Sequence, residues 1–396
     1  MKNGWQTKTL GDLCSFENGD RGENYPSKSV QTTSGVPFIN AGHLADFGID
    51  FSDMTYIPRE RFDLLGNGKI RKDDILFCLR GSLGKFASVG DLSEGAIASS
   101  LVIIRPSDAI LQEFVLAYLQ SDLCAEMIRE FRNGAAQPNL GAASLKKFVI
   151  PVPPLPEQKR IVGILDEAFE GVATAKANAV KNLQNARALF ESHLESVFSH
   201  RADGWVEKRL SEVCAITSTL VDPREKEFLD LVHVGAANIK SDNGALVELK
   251  TAREEGLISG KFLFEDSMVL YSKIRPYLRK VARPDFTGLC SADIYPLSPL
   301  PNQITRDYLF HLLLSKHFTE YAIRGSARAG MPKVNREHLF EFTLWLPSIT
   351  KQDQLSQELD ALSVESQRLE SIYHKKLAAL EELKKSLLHE AFSGRL

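Results

Sequence analysis

One stretch of this chain limits the possible folds, because a block of prolines is followed by a long helical pattern. Pro151, Pro153, Pro154 and Pro156 stand close together, and residues 157–199 contain no further proline. Proline has no N–H group and a fixed φ, so it is tolerated before a helix and in its first turn but not inside it. Beyond the prolines, apolar residues recur at steps of three or four: Ile161, Leu165, Ala168, Val172, Ala175, Ala179, Leu183, Ala186, Phe190, Leu194 and Val197. This spacing predicts one long helix with a single apolar stripe.

A helix of about 42 residues is roughly 60 Å long, which is too long for its stripe to be buried inside an ordinary domain. The chain contains a partner, because the stretch recurs near the C-terminus at a constant displacement. The register is set by matches of Pro153 with Pro347, Gln158 with Gln352, Leu165 with Leu359, Asp166 with Asp360, Leu194 with Leu388 and Phe198 with Phe392. The second copy has its own stripe: Leu355, Leu359, Leu362, Leu369, Ile372, Leu380, Leu383 and Leu387. Two such stripes predict an antiparallel two-helix coiled coil.

The repeat extends over the whole chain, since residues 4–14 return as residues 204–214 with Gly, Trp, Lys, Leu and Cys in matching positions. Such a repeat divides the chain into four segments. We predict a globular segment at 1–155, a long helix at 156–202, a second globular segment at 203–349 and a second long helix at 350–396.

Short apolar runs bounded by Gly, Asp, Asn and Ser predict strands in each globular segment. In the first segment these are 36–39, 75–79 and 97–104, followed by an amphipathic helix at 111–131. In the second segment they are 232–234, 268–271 and 294–297, followed by a helix at 308–323. Each segment is therefore predicted to be an α+β domain with its own core.

Composition narrows the class of protein. The chain has 396 residues, 43% of them hydrophobic and 25% charged, which fits two or three domains. We expect a cytoplasmic protein, because no apolar run reaches membrane-spanning length and no leader is visible. The five cysteines form no C-x-x-C pair, so buried reduced thiols are expected. The net charge of −3 means that any nucleic-acid contact must come from local clusters of positive charge.

Two such clusters occur in each globular segment. Residues 273–283 hold five basic residues and no acidic one directly after a predicted strand, and they correspond to residues 80–85 in the first repeat. A second Gly-rich basic loop, 324–336, corresponds to 132–140. Arg and Lys pair with phosphates or guanine, and Gln and Asn match adenine, so paired basic loops favour nucleic-acid binding over ordinary solvated surface. We expect the two loops of each segment to lie on the same side.

Candidate DNA-binding residues follow from charge and loop position. In the first segment they are Arg80, Ser82, Lys85, Gln137 and Asn139, with Asn40 and His43 as secondary candidates. In the second segment they are Lys273, Arg275, Tyr277, Arg279, Lys280, Arg328, Lys333 and Asn335, with Asn238 and Lys240 as secondary candidates.

No catalytic constellation is visible. The sequence has no Walker A loop, no G-x-G-x-x-G after a strand, no H-E-x-x-H and no G-x-S-x-G elbow. The carboxylates of Asp73, Asp74, Asp266 and Asp293 are predicted to be turn or cap residues. The histidines form no metal-spaced group, so no metal and no cofactor are predicted. A chain of this size without a catalytic motif is expected to be an adaptor.

The run Gln137-Pro138-Asn139-Leu140, and the later run from Ile150 through Pro-Val-Pro-Pro-Leu-Pro-Glu-Gln-Lys-Arg-Ile-Val, closely resemble the specificity subunit of type I restriction–modification systems. So do the opening Trp5-x-x-Lys8-x-Leu10-Gly11-Asp12-Leu13 and the segment from Asp74-Ile75-Leu76 to Arg80-Gly81-Ser82-Leu83-Gly84-Lys85. The resemblance covers the full length, although the second copy of the proline motif is more divergent.

The resemblance implies two α+β target recognition domains joined by two long antiparallel coiled-coil helices. Each domain would bind one half of a split, asymmetric DNA target, and the helices would set the spacer and dock the modification subunits. Those partners would carry S-adenosylmethionine and methylate adenine, and restriction subunits would cleave unmethylated DNA. The subunit resembled here performs no catalysis. Two alternatives remain: a coiled-coil scaffold protein without nucleic acid, and an enzyme whose site no motif reveals.

Overall fold

The computed structural model describes residues 4–45, 47–134, 138–199, 201–326 and 332–396. The chain divides into two compact units, and each unit combines one α+β domain with parts of both long helices. The first unit contains residues 1–178 and 376–396, and the second contains residues 179–375.

The first domain is built from short strands and helices. Its strands are β1 (Gln6–Thr9), β2 (Cys14–Asn18), β3 (Val36–Ile39), β4 (Leu44–Ala45), β5 (Gly48–Ile49), β6 (Tyr56–Ile57), β7 (Ile75–Cys78), β8 (Phe86–Ser88), β9 (Ala96–Ile97), β10 (Leu101–Pro106) and β11 (Val149–Val152). Its helices are α1 (Leu10–Leu13), α2 (Arg59–Asp63), α3 (Gln112–Gln120), α4 (Asp122–Phe131) and α5 (Ala142–Leu145), and it is followed by the long helix α6 (Leu155–Ser199).

A four-stranded antiparallel sheet with the order β2-β10-β7-β8 lies at the centre of the first domain. Strand β7 is buried on both faces, which is why its sequence is apolar without alternation. Ile75 and Phe77 face a core that includes α3, α4 and the long helices, while Leu76 and Cys78 face a second core. Smaller sheets, β6-β3-β9, β4-β5 and β1-β11, complete the domain.

The second domain repeats this plan. Its strands are β12 (Val206–Arg209), β13 (Cys214–Ala215), β14 (Leu220–Val221), β15 (Val232–Val234), β16 (Lys250–Thr251), β17 (Lys261–Phe264), β18 (Val269–Ser272), β19 (Val281–Ala282), β20 (Gly288–Cys290), β21 (Ile294–Pro299) and β22 (Thr343–Leu346). Its helices are α7 (Ala252–Glu255), α8 (Arg306–Leu314), α9 (Lys316–Arg324) and α10 (Arg336–Phe340), followed by the long helix α11 (Ile349–Ser393). The central sheet has the order β13-β21-β18-β19, and a five-stranded sheet has the order β14-β17-β20-β15-β16.

Three predicted elements were wrong in the same way, because each is broken where the apolar pattern continues. The helix predicted at 111–131 is two helices separated at Ser121, whose hydroxyl accepts a hydrogen bond from the Cys124 N–H and donates to the Tyr118 carbonyl. Ser315 breaks the helix predicted at 308–323 with the same pair of bonds. The strand predicted at 97–104 is divided into β9 and β10, which belong to different sheets.

The start of each long helix is held by a buried glutamine. The Gln158 side chain accepts a hydrogen bond from the Leu111 N–H at 2.9 Å and donates to the Pro153 carbonyl at 2.9 Å. Gln352 makes the equivalent bonds to the Thr305 N–H and the Pro347 carbonyl. A buried amide with its donors and acceptor satisfied fixes one geometry, so each helix leaves its own domain in the same way.

The two long helices are antiparallel, as predicted. In the first unit the beginning of α6 lies against the end of α11, and Lys176 forms an ion pair with Glu381. In the second unit the end of α6 lies against the beginning of α11, and the Ser366 hydroxyl donates to the Ala186 carbonyl at 2.8 Å. The small residues there let the two backbones approach closely.

The predicted stripe of α6 is confirmed at Ile161, Leu165, Ala179, Ala186, Leu194 and Val197, all of which are buried. The stripe predicted for α11 was wrong at Ile372 and Leu383, which are exposed. The buried residues near the end of that helix are Leu388, Ala391 and Phe392. The five cysteines are free and buried, as expected, and none of the described helices is long and apolar enough to span a bilayer.

The end of each long helix completes the core of the domain that belongs to the other repeat. Phe392 of α11 packs in the first core, with ring centroids 5.1 Å from Phe114 and 5.8 Å from Tyr118. Phe198 of α6 packs against Tyr308 in the second core at 5.0 Å. Each domain therefore depends on a helix that belongs to the other half of the chain.

We predict that Phe392→Ala lowers the free energy of unfolding of the first unit by about 3–5 kcal/mol, because it empties a fully packed aromatic site. Leu383→Ala is the matched control, since it truncates an exposed residue of the same helix. Urea unfolding measures both. Equal effects of the two variants would contradict the role given to the helix end.

Candidate nucleic-acid interface

The first basic loop of each domain is the connection between two antiparallel strands of the central sheet. In the first domain it joins β7 to β8, and in the second it joins β18 to β19. Gly81 and Gly84 have φ values of 82° and 83°, a left-handed conformation that glycine adopts easily. In the second domain Arg275 and Arg279 take this conformation at 49° and 44°, although they carry side chains.

In the first domain the two basic loops meet through backbone pairing. Arg80 forms an isolated antiparallel bridge with Asn139, and the Leu140 N–H donates to the Leu79 carbonyl at 2.9 Å. A cavity of about 520 Å³ beside this bridge is lined in part by Ser82 and Lys85. Arg80, Ser82, Lys85 and Asn139 are thus brought together, and Gln137 lies outside the described residues.

The second domain pairs its two loops in the same way. Ile274 bridges to Lys333, the Arg275 N–H donates to the Pro332 carbonyl at 2.9 Å, and the Val334 N–H donates to the Lys273 carbonyl at 2.8 Å. Arg328 lies outside the described residues. The expectation that the two loops of each domain lie together is therefore confirmed for the parts that the structure describes.

The corresponding arginines Arg80 and Arg275 are exposed, and neither has an ion-pair partner within the described parts of the chain. Ser82 and Tyr277 are exposed beside them, and Tyr277 is 53% accessible. Exposed guanidinium groups without carboxylate partners are available for phosphate or guanine oxygens.

Lys273 and Lys333 share one carboxylate. Their ammonium groups lie 3.6 and 3.7 Å from Asp293, which is therefore more than the turn residue that the sequence predicted. Burial, together with the charge of Lys333, lowers the pKa of Lys273. The Lys273 ammonium also lies 5.2 Å from the centre of the Tyr295 ring. Asp293 thus limits the repulsion between Lys273 and Lys333, which belong to the two paired loops.

Lys85 and Lys280 correspond to each other, and each connects its basic loop to a short 3-10 turn elsewhere in the same domain. The Lys85 ammonium donates to the Ala41 carbonyl at 3.1 Å, and Lys280 donates to the equivalent carbonyl of Ala236. Both carbonyls belong to a short 3-10 turn after the strand.

The secondary candidates are mostly engaged in local structure. Asn40 accepts from the Gly42 N–H, His43 is buried, and the Asn238 side chain bonds Gly235, Val247 and Glu248. Lys240 is exposed. Asn335, one of the main candidates, caps α10 by accepting from the His338 N–H at 2.7 Å. Direct contact of any of these side chains with DNA stays a prediction.

The basic run 273–283 is divided by the structure. Arg279 is directed to carboxylates of Glu191 and Asp242, and Arg283 to those of Asp307 and Asp360. The charge of these two arginines is thus already neutralised by the protein. Sequence reasoning could not separate them from Arg275, because both carboxylates on the long helices are distant in sequence.

One further cation belongs to this surface and was not among the sequence candidates. Arg132 is exposed at the end of α4 and lines the same cavity as Ser82 and Lys85. The sequence does place Arg132 at the start of the second basic loop, but Gln137 and Asn139 were chosen as the candidates in that loop. Among the described residues no group of His, Cys, Asp or Glu is arranged to hold a metal ion.

The structure thus defines a protein with two tandem α+β domains, each presenting paired basic loops, on two antiparallel helices. The family model of the type I restriction modification DNA specificity domain matches residues 2–182 and again residues 202–379. The chain belongs to this family and carries two of its domains.

Curated relatives agree with this assignment. The EcoDI specificity subunit of Escherichia coli is 26% identical over 99% of this chain and 88% of its own length. The MjaVIII specificity subunit of Methanocaldococcus jannaschii is 20% identical over 99% of this chain and 93% of its own length.

Two solved structures share the fold. A chain from a structure describing complex assembly and conformational transition of a type I R-M system has a TM-score of 0.79 at 19% identity, covering 100% of this chain and 99% of that chain. The HsdS subunit from Thermoanaerobacter tengcongensis has a TM-score of 0.63 at 19% identity, covering 100% and 98%.

The Arg283 network predicts a pH dependence of the second unit. Burial lowers the pKa of His311 against the opposing effect of Asp360, its hydrogen-bond partner at 2.9 Å. Burial alone would raise the pKa of Asp360, but bonds from His311 and Arg283 outweigh it and lower the pKa to about 2. The unfolded imidazole binds a proton that the folded one does not, so stability falls as pH drops below about 6.5.

We therefore expect His311→Gln, which can still donate to Asp360 but does not titrate, to reduce the loss of stability between pH 7.5 and 5. The change in slope is at most about 1.4 kcal/mol per pH unit. Urea unfolding at a series of pH values measures it, and an unchanged slope would show that His311 is not the titrating group.

Proposed function

We propose that this chain is the non-catalytic DNA-recognition subunit of a type I restriction–modification complex, in which each domain binds one half of an asymmetric bipartite target. The observation that carries the proposal is the backbone pairing of two basic loops in both domains. Each pairing places an exposed arginine, Arg80 or Arg275, on a hairpin of the central sheet, and neither has an ion-pair partner among the described residues. Rigid loops position phosphate and base contacts at little cost in conformational entropy.

Equivalent loops with different side chains support two different half-sites. Arg80 and Arg275 correspond, which suits contacts to the phosphates that every sequence shares. Ser82 corresponds to Tyr277, and Asn139 to Lys333, so the groups that could contact base edges differ between the domains. We infer that the target is asymmetric, and the bases themselves stay unassigned.

The long helices are proposed to set the spacer and to dock the partner subunits. Each has 45 residues, and a helix rises about 1.5 Å per residue, so both exceed the distance of about 34 Å between sites one DNA turn apart. Several apolar side chains on them are exposed, which favours protein contacts: Ile164, Val180, Leu189, Val364, Ile372 and Leu383.

The partners proposed from the family are modification subunits, which would bind S-adenosylmethionine and methylate adenine, and restriction subunits, which would cleave DNA. This chain itself would bind no cofactor and would act in the cytoplasm, where its DNA is found. Mapping methylated adenines in DNA from cells that carry the complete system tests the proposal. We expect methylation only within a two-part sequence separated by a fixed, unread spacer.

Methylation by this chain alone with S-adenosylmethionine would show that it is an enzyme. A scaffold protein without nucleic acid, in contrast, would give no shift of random duplex at low salt. For the proposed function the affinity should fall steeply with salt, because neutralised phosphates release counterions.

We predict that Arg275→Ala weakens binding of target and random duplex alike and reduces the slope of log affinity against log salt by about 1, because one phosphate contact is lost. Arg253→Ala is the matched control, since this exposed arginine of the same unit is already paired with Asp230. Fluorescence anisotropy of labelled duplexes in the assembled complex measures both. Loss of discrimination at one base pair, with an unchanged slope, would instead make Arg275 a base contact.

A further inference from the structure

The two domains are attached to the long helices by different side chains at corresponding places. Phe47 in the first domain and Asp242 in the second occupy the same turn after a 3-10 segment, and both have positive φ, 64° and 69°. Such a conformation is uncommon for residues other than glycine and is kept where the surroundings determine it. In each domain this turn contacts a cation that connects the domain to a long helix.

In the first unit we call this contact the aromatic clamp, formed by Phe47, Phe169 and Lys384. The Lys384 ammonium of α11 lies 5.0 Å from the ring centre of Phe47 and 4.8 Å from that of Phe169 on α6. Burial lowers the pKa of Lys384, which indicates that the ammonium has lost part of its water. Partly desolvated cation–π contacts are worth more than exposed ones, so this cation joins both helices to the domain.

The aromatic clamp is directly connected to the basic loop of the first domain. Phe47 stacks on Phe86 with ring centroids 5.1 Å apart, and its carbonyl accepts a hydrogen bond from the Ser88 N–H at 2.7 Å. Phe86 and Ser88 belong to β8, the strand that follows Lys85. A shift of Phe47 would therefore move the strand that carries the end of the loop.

In the second unit we call the contact the ion-pair clamp, formed by Arg279, Glu191 and Asp242. The Arg279 guanidinium donates to both carboxylate oxygens of Glu191 on α6, at 2.9 and 2.8 Å, and through Nε to Asp242 at 2.6 Å. The Arg279 side chain is only 19% exposed. Arg279 ends the turn that carries Tyr277, so the clamp holds the basic loop itself.

The two clamps cannot exchange partners. Gly84 stands where Arg279 stands in the second repeat, and Lys385 stands where Glu191 stands. An arginine opposite Lys385 would meet a like charge. The space also differs: in the second unit a cavity of about 530 Å³ is lined by Ser363, which corresponds to Phe169.

We propose that Lys384 and Arg279 are positioning residues, each of which fixes the orientation of the DNA-binding loop in its own domain independently of the other. Weakening one clamp then loosens recognition of one half of the target and leaves the other half unchanged. The DNA-binding part of this inference rests on the proposed function, whereas the mechanical part does not.

Hydrogen exchange in the full-length chain tests the mechanical part without DNA. Lys384→Met, which keeps the aliphatic stem, should increase exchange in β4, β5 and β8 and leave the second domain unchanged. Glu191→Gln should increase exchange in residues 273–279 and leave the first domain unchanged. Lys385→Met in the first unit and Glu370→Gln in the second are controls, since each removes a charge of the same sign on α11 outside both clamps. If hydrogen exchange is unchanged in both clamp variants, the inference is wrong.

Methylation by the reconstituted complex tests the positioning role. With targets altered at single positions, Glu191→Gln should reduce discrimination roughly threefold to tenfold in the second domain's half-site alone, and Lys384→Met in the other half alone. Arg279→Lys should restore part of the loss seen with Arg279→Gly, because it keeps one charged donor.

The outcomes separate the two proposals. Suppose that the wild-type complex discriminates a bipartite target. Independent positioning is then wrong if each clamp variant reduces discrimination equally in both half-sites, or reduces it in neither half-site. If the wild-type complex recognises no bipartite target, the proposed function fails and the positioning role fails with it. The mechanical clamps are then still confirmed or rejected by hydrogen exchange alone.

Discussion

The structure depends on the burial of each long-helix end in the core of the domain that belongs to the other repeat. Phe392, Leu388 and Ala391 complete the core around Phe114, and Leu194 and Val197 do the same in the second unit. A 45-residue amphipathic helix would otherwise expose part of its stripe to water. Because the first unit is formed from both ends of the chain, its core is not complete until residues 376–396 are in place.

The regular features of the fold could be predicted because they repeat in the sequence. The match of Gln158 with Gln352 helped to align the two sequence repeats, and in the structure these side chains make equivalent hydrogen bonds. The breaks at Ser121 and Ser315 were missed because the apolar spacing continues across them, although a serine is a good helix N-cap. A serine inside a continuous apolar pattern is compatible with one helix or with two, so periodicity alone could not locate these breaks.

The position of the candidate interface could be predicted from the sequence, but the direction of its side chains could not. The loops could be found from charge in the second domain and from the repeat in the first, and the structure pairs them through Arg80 with Asn139 and Ile274 with Lys333. What sequence could not give was the direction of each side chain. Arg275 and Arg279 are four residues apart and both have positive φ, yet one is exposed and the other is bound by Glu191, a residue distant in sequence. Only tertiary structure distinguishes a free cation from a neutralised one.

Divergence between the repeats has changed the electrostatics at equivalent positions, and the corresponding carboxylates Asp166 and Asp360 show this directly. Burial, and then the charge of Glu113, raises the pKa of Asp166, whereas His311 and Arg283 outweigh the effect of burial and lower the pKa of Asp360 to about 2. A raised pKa contributes stability that is lost as pH rises through it, and a lowered pKa contributes stability that is lost as pH falls.

Acidification therefore acts in opposite directions on these two equivalent positions: protonation of Asp166 raises stability as the pH falls towards the ordinary aspartate pKa, whereas protonation of Asp360 lowers stability as the pH falls below it. The difference arises because Ser88 and Ala117 stand where Arg283 and His311 stand in the second repeat. In the first unit the domain thus contacts the long helices through aromatic rings and a partly desolvated ammonium, and in the second unit it does so through ion pairs. The two attachments share no residue, so a substitution in one clamp removes no contact of the other.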